Sequence, residues 1–160
     1  MLSVGDQAPP FDLPDLAAKQ HRLVDGEAPV LAVFWKPSCA TCDLAFPYLQ
    51  RLYEAYPGDG WRLLAVSQED ATSSGQFAQQ YGITFPILIE GDGWPASMAY
   101  DPEATPTLFL ISPDGAIEHA SVGFEKAALN EISEALAKHL GVSSQLIARE
   151  DDGNPPFRPG

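Results

Sequence analysis

Pro29 to Trp35 reads PVLAVFW, an unbroken apolar run of β-branched and aromatic side chains with no polar position to face water. A strand of this kind has to be covered on both faces, which makes it a central strand of an α/β sheet. The run breaks at Lys36-Pro37-Ser38. From Cys39 to about Tyr56 the apolar residues Leu44, Ala45, Tyr48, Leu49, Leu52 and Tyr53 then recur at helical spacing, giving one inward stripe. Pro47 falls inside that helix, where it removes a hydrogen bond and is expected to kink the chain. Pro57-Gly58-Asp59-Gly60 ends it.

Strand and helix signals continue to alternate. Trp61 to Ser67 reads as a second strand and Thr72 to Tyr81 as a helix stopped by Gly82, completing a β-α-β-α unit. Pro86 to Glu90 is a short strand. The Gly- and Pro-punctuated stretch from Gly91 to Glu103 is expected to hold a helical turn near Ala96 to Tyr100, with Trp94 and Tyr100 as a candidate substrate-facing lip. Thr107 to Ser112 and Ala116 to Val122, joined by Pro113-Asp114-Gly115, predict an antiparallel hairpin. Phe124 to Leu140 predicts a closing amphipathic helix with Ala127, Ala128, Ile132, Leu136 and Leu140 inward and Gly141 as its stop. Before the central strand, Phe11-Asp12-Leu13 and His21-Arg22-Leu23-Val24 suit a small N-terminal hairpin or an extended arm. Residues 1–141 are thus expected to form one domain. Residues 142–160, ending EDDGNPPFRPG, are expected to form a flexible C-terminal tail.

Composition narrows the function classes. Nine Lys plus Arg against 22 Asp plus Glu leave a net charge of −13, which repels phosphate backbones and anionic membranes. No nucleic-acid partner is expected. The apolar runs are strand-length, far below the roughly 20 residues that cross a bilayer, so no membrane insertion is expected. Met1 to Phe11 lacks the basic start and the apolar stretch of roughly 7 to 15 residues of a secretory signal, which predicts a cytoplasmic workplace. A chain trimmed of its signal would read the same, which keeps a periplasmic or other extracytoplasmic workplace as the alternative. Only Cys39 and Cys42 are present, excluding a disulfide framework and a four-cysteine metal site.

A cysteine that follows a strand and opens a helix sits where backbone N–H groups and the helix dipole favour negative charge. The thiolate is the nucleophilic form, and a Cys-x-x-Cys pair at a helix start lowers the first thiol from about 8.5 to as little as ~3.5. Cys39 is placed to attack. Cys42, one turn along the same face, is placed to displace the resulting mixed disulfide. Two other readings of the pair stay open at this point: a buried inert pair, or a metal site completed by His21, His119, His139 or a second subunit. Lys36 is a further candidate, because a cation near Cys39 favours its thiolate.

Phe34-Trp35-Lys36-Pro37-Ser38-Cys39-Ala40-Thr41-Cys42, the later Pro47, and Thr105-Pro106-Thr107-Leu108-Phe109-Leu110 before a hairpin together resemble the thioredoxin fold. More narrowly, the chain is similar to the TlpA/ResA-like thiol-disulfide oxidoreductases and their alkyl hydroperoxide reductase/thiol antioxidant relatives. Val4-Gly5-Asp6-Gln7-Ala8-Pro9-Pro10-Phe11-Asp12-Leu13 is similar to the opening segment of that branch. The resemblance spans about residues 3–140. It implies an α/β thioredoxin-like fold, a central mixed β-sheet flanked by helices, with the N-terminal hairpin as an extension. It also implies a cis Pro106 facing the Cys39 sulfur, a Thr105 backbone free to pair with an extended substrate, and a Trp35 packed beside the disulfide.

The chain departs from the family pattern at three points. Ser38 stands where an aromatic residue often precedes the first cysteine, Val33 where thioredoxins carry a buried carboxylate, and Ala45 where ResA-like proteins carry a helix glutamate. Proton handling at Cys42 would then rest on water or on Glu69 or Asp70.

The leading expectation is a thiol-disulfide oxidoreductase working as a disulfide reductase, with no cofactor and no metal. Its partners would be protein or small-molecule disulfides and dithiols, together with an electron donor. The alternatives are a peroxiredoxin-type thiol peroxidase and a metal- or partner-binding thioredoxin-like protein. The peroxidase pattern Pro-x-x-x-Thr-x-x-Cys is missing, because Lys36 and Cys39 occupy the threonine offsets from Cys39 and Cys42.

Overall fold

A computed structural model describes residues 1–23 and 28–160. Val24, the last residue of the second N-terminal apolar piece, lies outside the described residues. The elements run β1 (Phe11–Pro14), β2 (Gln20–Leu23), β3 (Val30–Trp35), α1 (Ala40–Ala55), β4 (Arg62–Ser67), α2 (Ala71–Tyr81) and β5 (Ile87–Ile89). They continue with α3 (Pro95–Tyr100), β6 (Thr107–Ile111), β7 (Ile117–Val122), β8 (Phe124–Glu125), α4 (Lys126–Leu140) and β9 (Phe157–Arg158).

Five strands form one mixed sheet in the order β5-β4-β3-β6-β7, with β3 at its centre. β3 pairs in parallel with β4 and antiparallel with β6, so both of its edges are satisfied. The apolar run therefore does what its pattern requires: all six β3 residues are buried. Alternate residues serve opposite layers. Leu31, Val33 and Trp35 join a cluster with Phe46 and Leu49 of α1, Phe77 of α2 and Leu129, Ile132 and Leu136 of α4. Val30, Ala32 and Phe34 join the other cluster, with Leu13 and Leu23 of the N-terminal hairpin, Tyr100 of α3 and Phe109. β1 and β2 pair antiparallel, as the sequence predicts.

Pro47 lies inside α1, and the left-handed Gly82 and Gly141 stop α2 and α4 by donating back to the last helical carbonyls. Among the described residues no helix is long and apolar enough to cross a membrane.

Two expectations are corrected. Phe124 and Glu125 do not open the last helix; they form β8, pairing antiparallel with β9. The helix starts at Lys126, and its inward face carries Leu129, Ile132, Ser133, Leu136 and Ala137, while Ala127 is exposed. The second correction concerns residues 142–160, which pack against the domain instead of hanging loose. Ile147 and Ala148 are 5% and 2% exposed.

The tail is fastened by polar side chains of α4, of which Lys126 and Ser133 are buried. Asn130 accepts from the Ile147 and Ala148 N–H groups and donates to the Ala148 carbonyl, all at 2.9 Å. The Ser133 hydroxyl donates to the Gln145 carbonyl at 2.6 Å. The Lys126 ammonium, 7% exposed, donates to the Arg149 carbonyl at 2.7 Å, to Asp152 at 2.6 Å and to the Asn154 carbonyl at 2.9 Å. A polar, Pro-rich sequence reads as loose because it cannot bury itself. Here the neighbouring helices supply the buried partners.

Two predictions follow from this packing. Phe34, fully buried against Tyr100 and Phe109 with ring centroids 4.9 and 5.9 Å away, is expected to cost about 3–5 kcal/mol when cut to alanine, read from urea unfolding. The hydrogen bonds from Lys126 and Tyr48 hold the Asp152 carboxyl well below the usual carboxylate range. A depressed folded value stabilises above the ordinary carboxylate value, and that contribution is lost as the pH falls through the folded value. Asp152→Asn is therefore expected to destabilise at neutral pH, with the difference from the parent shrinking in strong acid. Urea midpoints at two pH values check it.

Candidate active site

Cys39 occupies the N-cap of α1 because the chain leaves β3, turns through Lys36-Pro37-Ser38, and starts its helix at Ala40. The turn is held from both sides. The Cys39 N–H donates to the Lys36 carbonyl at 3.2 Å, and the Cys42 N–H donates to the Cys39 carbonyl at 3.0 Å and to its sulfur at 3.3 Å. Glu69, just past β4, accepts from the Ser38 N–H at 3.0 Å and from the Ser38 hydroxyl.

From the opposite side comes the segment before β6. Phe34 of β3 pairs with Thr107 of β6, so Thr105 and Pro106 reach the strand end from which Cys39 follows. The Thr105-Pro106 bond is cis, as the resemblance implies, and the Thr105 carbonyl lies 3.1 Å from the Cys39 sulfur.

The two thiols are chemically unequal. Cys39 retains 9% of its surface, while Cys42 is fully covered. Burial pushes the Cys39 thiol up, but hydrogen bonds from the Thr105 and Cys42 side chains and from the Cys42 and Thr41 backbone together pull it down further, leaving it below its ordinary value. Burial dominates at Cys42 and raises that thiol strongly, with the neighbouring Cys39 adding to the rise. The outer sulfur is thus the one that ionises, and the inner one keeps its proton.

The other sequence candidates divide. Trp35 is fully buried, with ring centroids 4.4 Å from Phe46 and 4.7 Å from Phe77, in the cluster that also contains both cysteines. Lys36 enters through its backbone, accepting from Cys39 and hydrogen-bonding Cys42. Val33 and Ala45 are buried, so the places of the two family acids are apolar. Neither Glu69 nor Asp70 is bonded to a cysteine: Glu69 braces Ser38, and Asp70 caps α2 through the Ser73 N–H at 2.8 Å.

The lip expectation splits as well. Tyr100 is a core residue, fully covered and donating to the Pro9 carbonyl at 2.7 Å, whereas Trp94 is 53% exposed. His21 and His139 are engaged by Asp15 and Glu118 at 2.8 and 2.7 Å, and among the described residues no group of three His, Cys, Asp or Glu could hold a metal.

Residues 4–120 match the AhpC/TSA family. The chain belongs to that family. Within it, the similarity is to the ResA-like thiol-disulfide oxidoreductases. ResA from Geobacillus kaustophilus is 36% identical over 124 residues, covering 76% of this chain and 71% of that protein. ResA from Bacillus subtilis is 32% identical over 124 residues, with 76% and 69% covered. A Chlorobium tepidum structure assigned as the thiol:disulfide interchange protein DsbE superposes with a TM-score of 0.77 at 26% identity, covering 88% of this chain and all (100%) of that one. A secreted Mycobacterium tuberculosis disulfide oxidoreductase shares the fold, with a TM-score of 0.66 at 23% identity and coverage of 80% and 95%. The AhpC/TSA chain described here is accordingly a thioredoxin-fold thiol-disulfide oxidoreductase of the ResA/TlpA-like kind.

One contributor was not legible in the sequence. Thr41, an uncharged spacer by its motif position, is buried and donates to the Pro159 carbonyl at 2.7 Å. Nothing in helical spacing marks such a contact, because its partner lies 118 residues away.

The inequality of the thiols sets the site's pH behaviour. Iodoacetamide alkylation of the reduced protein from about pH 5 to about pH 10 is expected to label Cys39 with an inflection below the ordinary thiol value. Cys42 is expected to stay unlabelled while the fold is intact. Mass spectrometry of the labelled peptides checks both.

Proposed function

We propose that this AhpC/TSA protein is a disulfide reductase in which Cys39 attacks and Cys42 resolves. The observation that carries the reading is the unequal placement of the two sulfurs, Cys39 at the cap of α1 with 9% of its surface left and Cys42 fully covered, which lowers the first thiol and raises the second. The Cys39 thiolate attacks one sulfur of the substrate disulfide, a mixed disulfide forms, and the other substrate sulfur leaves as a thiolate. Cys42 then loses its proton and attacks the Cys39 sulfur, releasing the second substrate thiolate. Two electrons have passed to the substrate, which leaves as a dithiol after taking up two protons. The chain is left with a Cys39–Cys42 disulfide, and a dithiol donor supplies the two electrons that restore it.

Geometry supports the division of labour. Only Cys39 reaches the surface, so an incoming disulfide meets that sulfur first. The Cys42 N–H, 3.3 Å from the Cys39 sulfur, supports negative charge there before attack and when the mixed disulfide is resolved. The buried Val33 and Ala45 offer no carboxylate, so the Cys42 proton passes to water or to the departing substrate thiolate.

Substrates are disulfides of proteins or small molecules in general. For the compartment we propose the extracytoplasmic alternative in place of the cytoplasm. The M. tuberculosis neighbour, described as secreted, supports it. A reductase working there needs a dedicated donor, because such compartments are oxidising.

Cys42→Ser is expected to accumulate a mixed disulfide with substrate through Cys39, and Cys39→Ser to lose exchange altogether, by non-reducing mass spectrometry. The midpoint potential of the pair is expected near about −270 mV, in the reductase range, in thiol-buffer titrations. A value near about −120 mV would identify an oxidant instead.

A further inference from the structure

The tail does more than cover the α1–α4 face. Beyond the anchored stretch that ends at Asn154, the chain runs back toward the cysteines. The Lys126 N–H donates to the Pro156 carbonyl at 3.0 Å, and Phe157 and Arg158 pair antiparallel with Glu125 and Phe124. Pro159 accepts from Thr41, inside the Cys-x-x-Cys segment, at 2.7 Å. Gly160 then lies against the cis-proline segment so closely that a Cβ there would fall 2.6 Å from the Thr105 oxygen and 2.8 Å from Ala104 Cβ. Gly123 admits the same approach from the other side. A Cβ on it would stand 2.6 Å from the Arg158 oxygen, and its N–H donates to the Pro106 carbonyl at 2.8 Å.

Residues 156–160, with Phe157–Arg158 as a short strand, therefore lie between Thr41 and Thr105. The second of those residues supplies the carbonyl beside the Cys39 sulfur. A peptide presenting a disulfide to that sulfur in extended form would need this same corridor and the same β8 edge.

We propose that residues 156–160 are a built-in competitor, a strap that holds the substrate corridor and must lift before an extended disulfide-bearing peptide reaches Cys39. The inference rests on the proposed role of Cys39 as the attacking thiol. Two physical features suit a strap to this task. It is held through backbone bonds and close glycine approaches, while Phe157 and Arg158 are exposed, so little side-chain burial opposes release. The anchored residues 147–154 keep it next to the groove when it lifts, at a high effective concentration.

The test compares the full chain with a chain ending at Pro155 and with Gly160→Val, whose added Cβ cannot share space with Thr105. Two rates are read on each: alkylation of reduced Cys39 by iodoacetamide, and exchange with a disulfide-linked peptide. The midpoint potential is measured alongside. The shortened chain is expected to exchange with the peptide at least about tenfold faster, and Gly160→Val to move the same way. The potential should be unchanged. Synthetic Asn-Pro-Pro-Phe-Arg-Pro-Gly, added to the shortened chain, is expected to slow exchange again in competition with the peptide. Equal rates in all three chains, with an intact two-electron couple, would overturn the strap. Absence of any couple would overturn the reductase reading instead, and Cys39 alkylation would still report whether the strap covers the sulfur.

Discussion

The functional distances of this molecule depend on β3 being paired along both edges. Its parallel partner β4 ends beside Glu69, which steadies Ser38, and its antiparallel partner β6 delivers Thr105 to the Cys39 sulfur. A strand satisfied on one edge only could hold one of these and not both. The apolar run is thus the origin of the site as well as of the core. Burying Leu31, Val33 and Trp35 on one face and Ala32 and Phe34 on the other orients the strand so that the next residues emerge at the sheet end.

Once Cys39 stands there, its chemistry follows from unequal burial within one helical turn. The two sulfurs share a helix face, yet at the outer one hydrogen bonds together outweigh burial, and at the inner one burial outweighs the hydrogen bonds it receives. The same low-dielectric core that makes Cys42 hold its proton makes the hydrogen bonds to Cys39 count. The buried Val33 and Ala45 put apolar side chains, not carboxyl groups, in that core. Control of the inner thiol therefore lies with burial and the attacking partner, not with a nearby carboxylate.

What could be read in the sequence was local. The β3 run, the stripe on α1, the Gly82 and Gly141 stops and the Cys-x-x-Cys spacing each express a period or a cap, and each appears in the fold as read. The errors arose where a distant partner decided the outcome. Phe124 and Glu125 read as the first turn of a helix until Phe157 and Arg158 offered a strand to pair with. Ala127 fits an apolar stripe, but the buried face of α4 is rotated toward Leu129 and Ser133. Nothing in the helical pattern marks Lys126, Asn130 and Ser133 as anchors, because their acceptors and donors come from a segment whose own composition predicts disorder.

The sequence by itself determined the α/β fold and the redox pair, because strand and helix periods and the position of a cysteine after a strand are properties of neighbouring residues. Only the tertiary structure decided how completely the inner thiol is covered, that the Thr105 carbonyl stands beside the outer one, and that residues 156–160 return to the site. Those outcomes depend on burial and on hydrogen bonds across the chain. Cys39 meets Thr105 66 residues away, and Thr41 meets Pro159 118 residues away. No local pattern encodes contacts at that range, which exist only after the core has closed around β3.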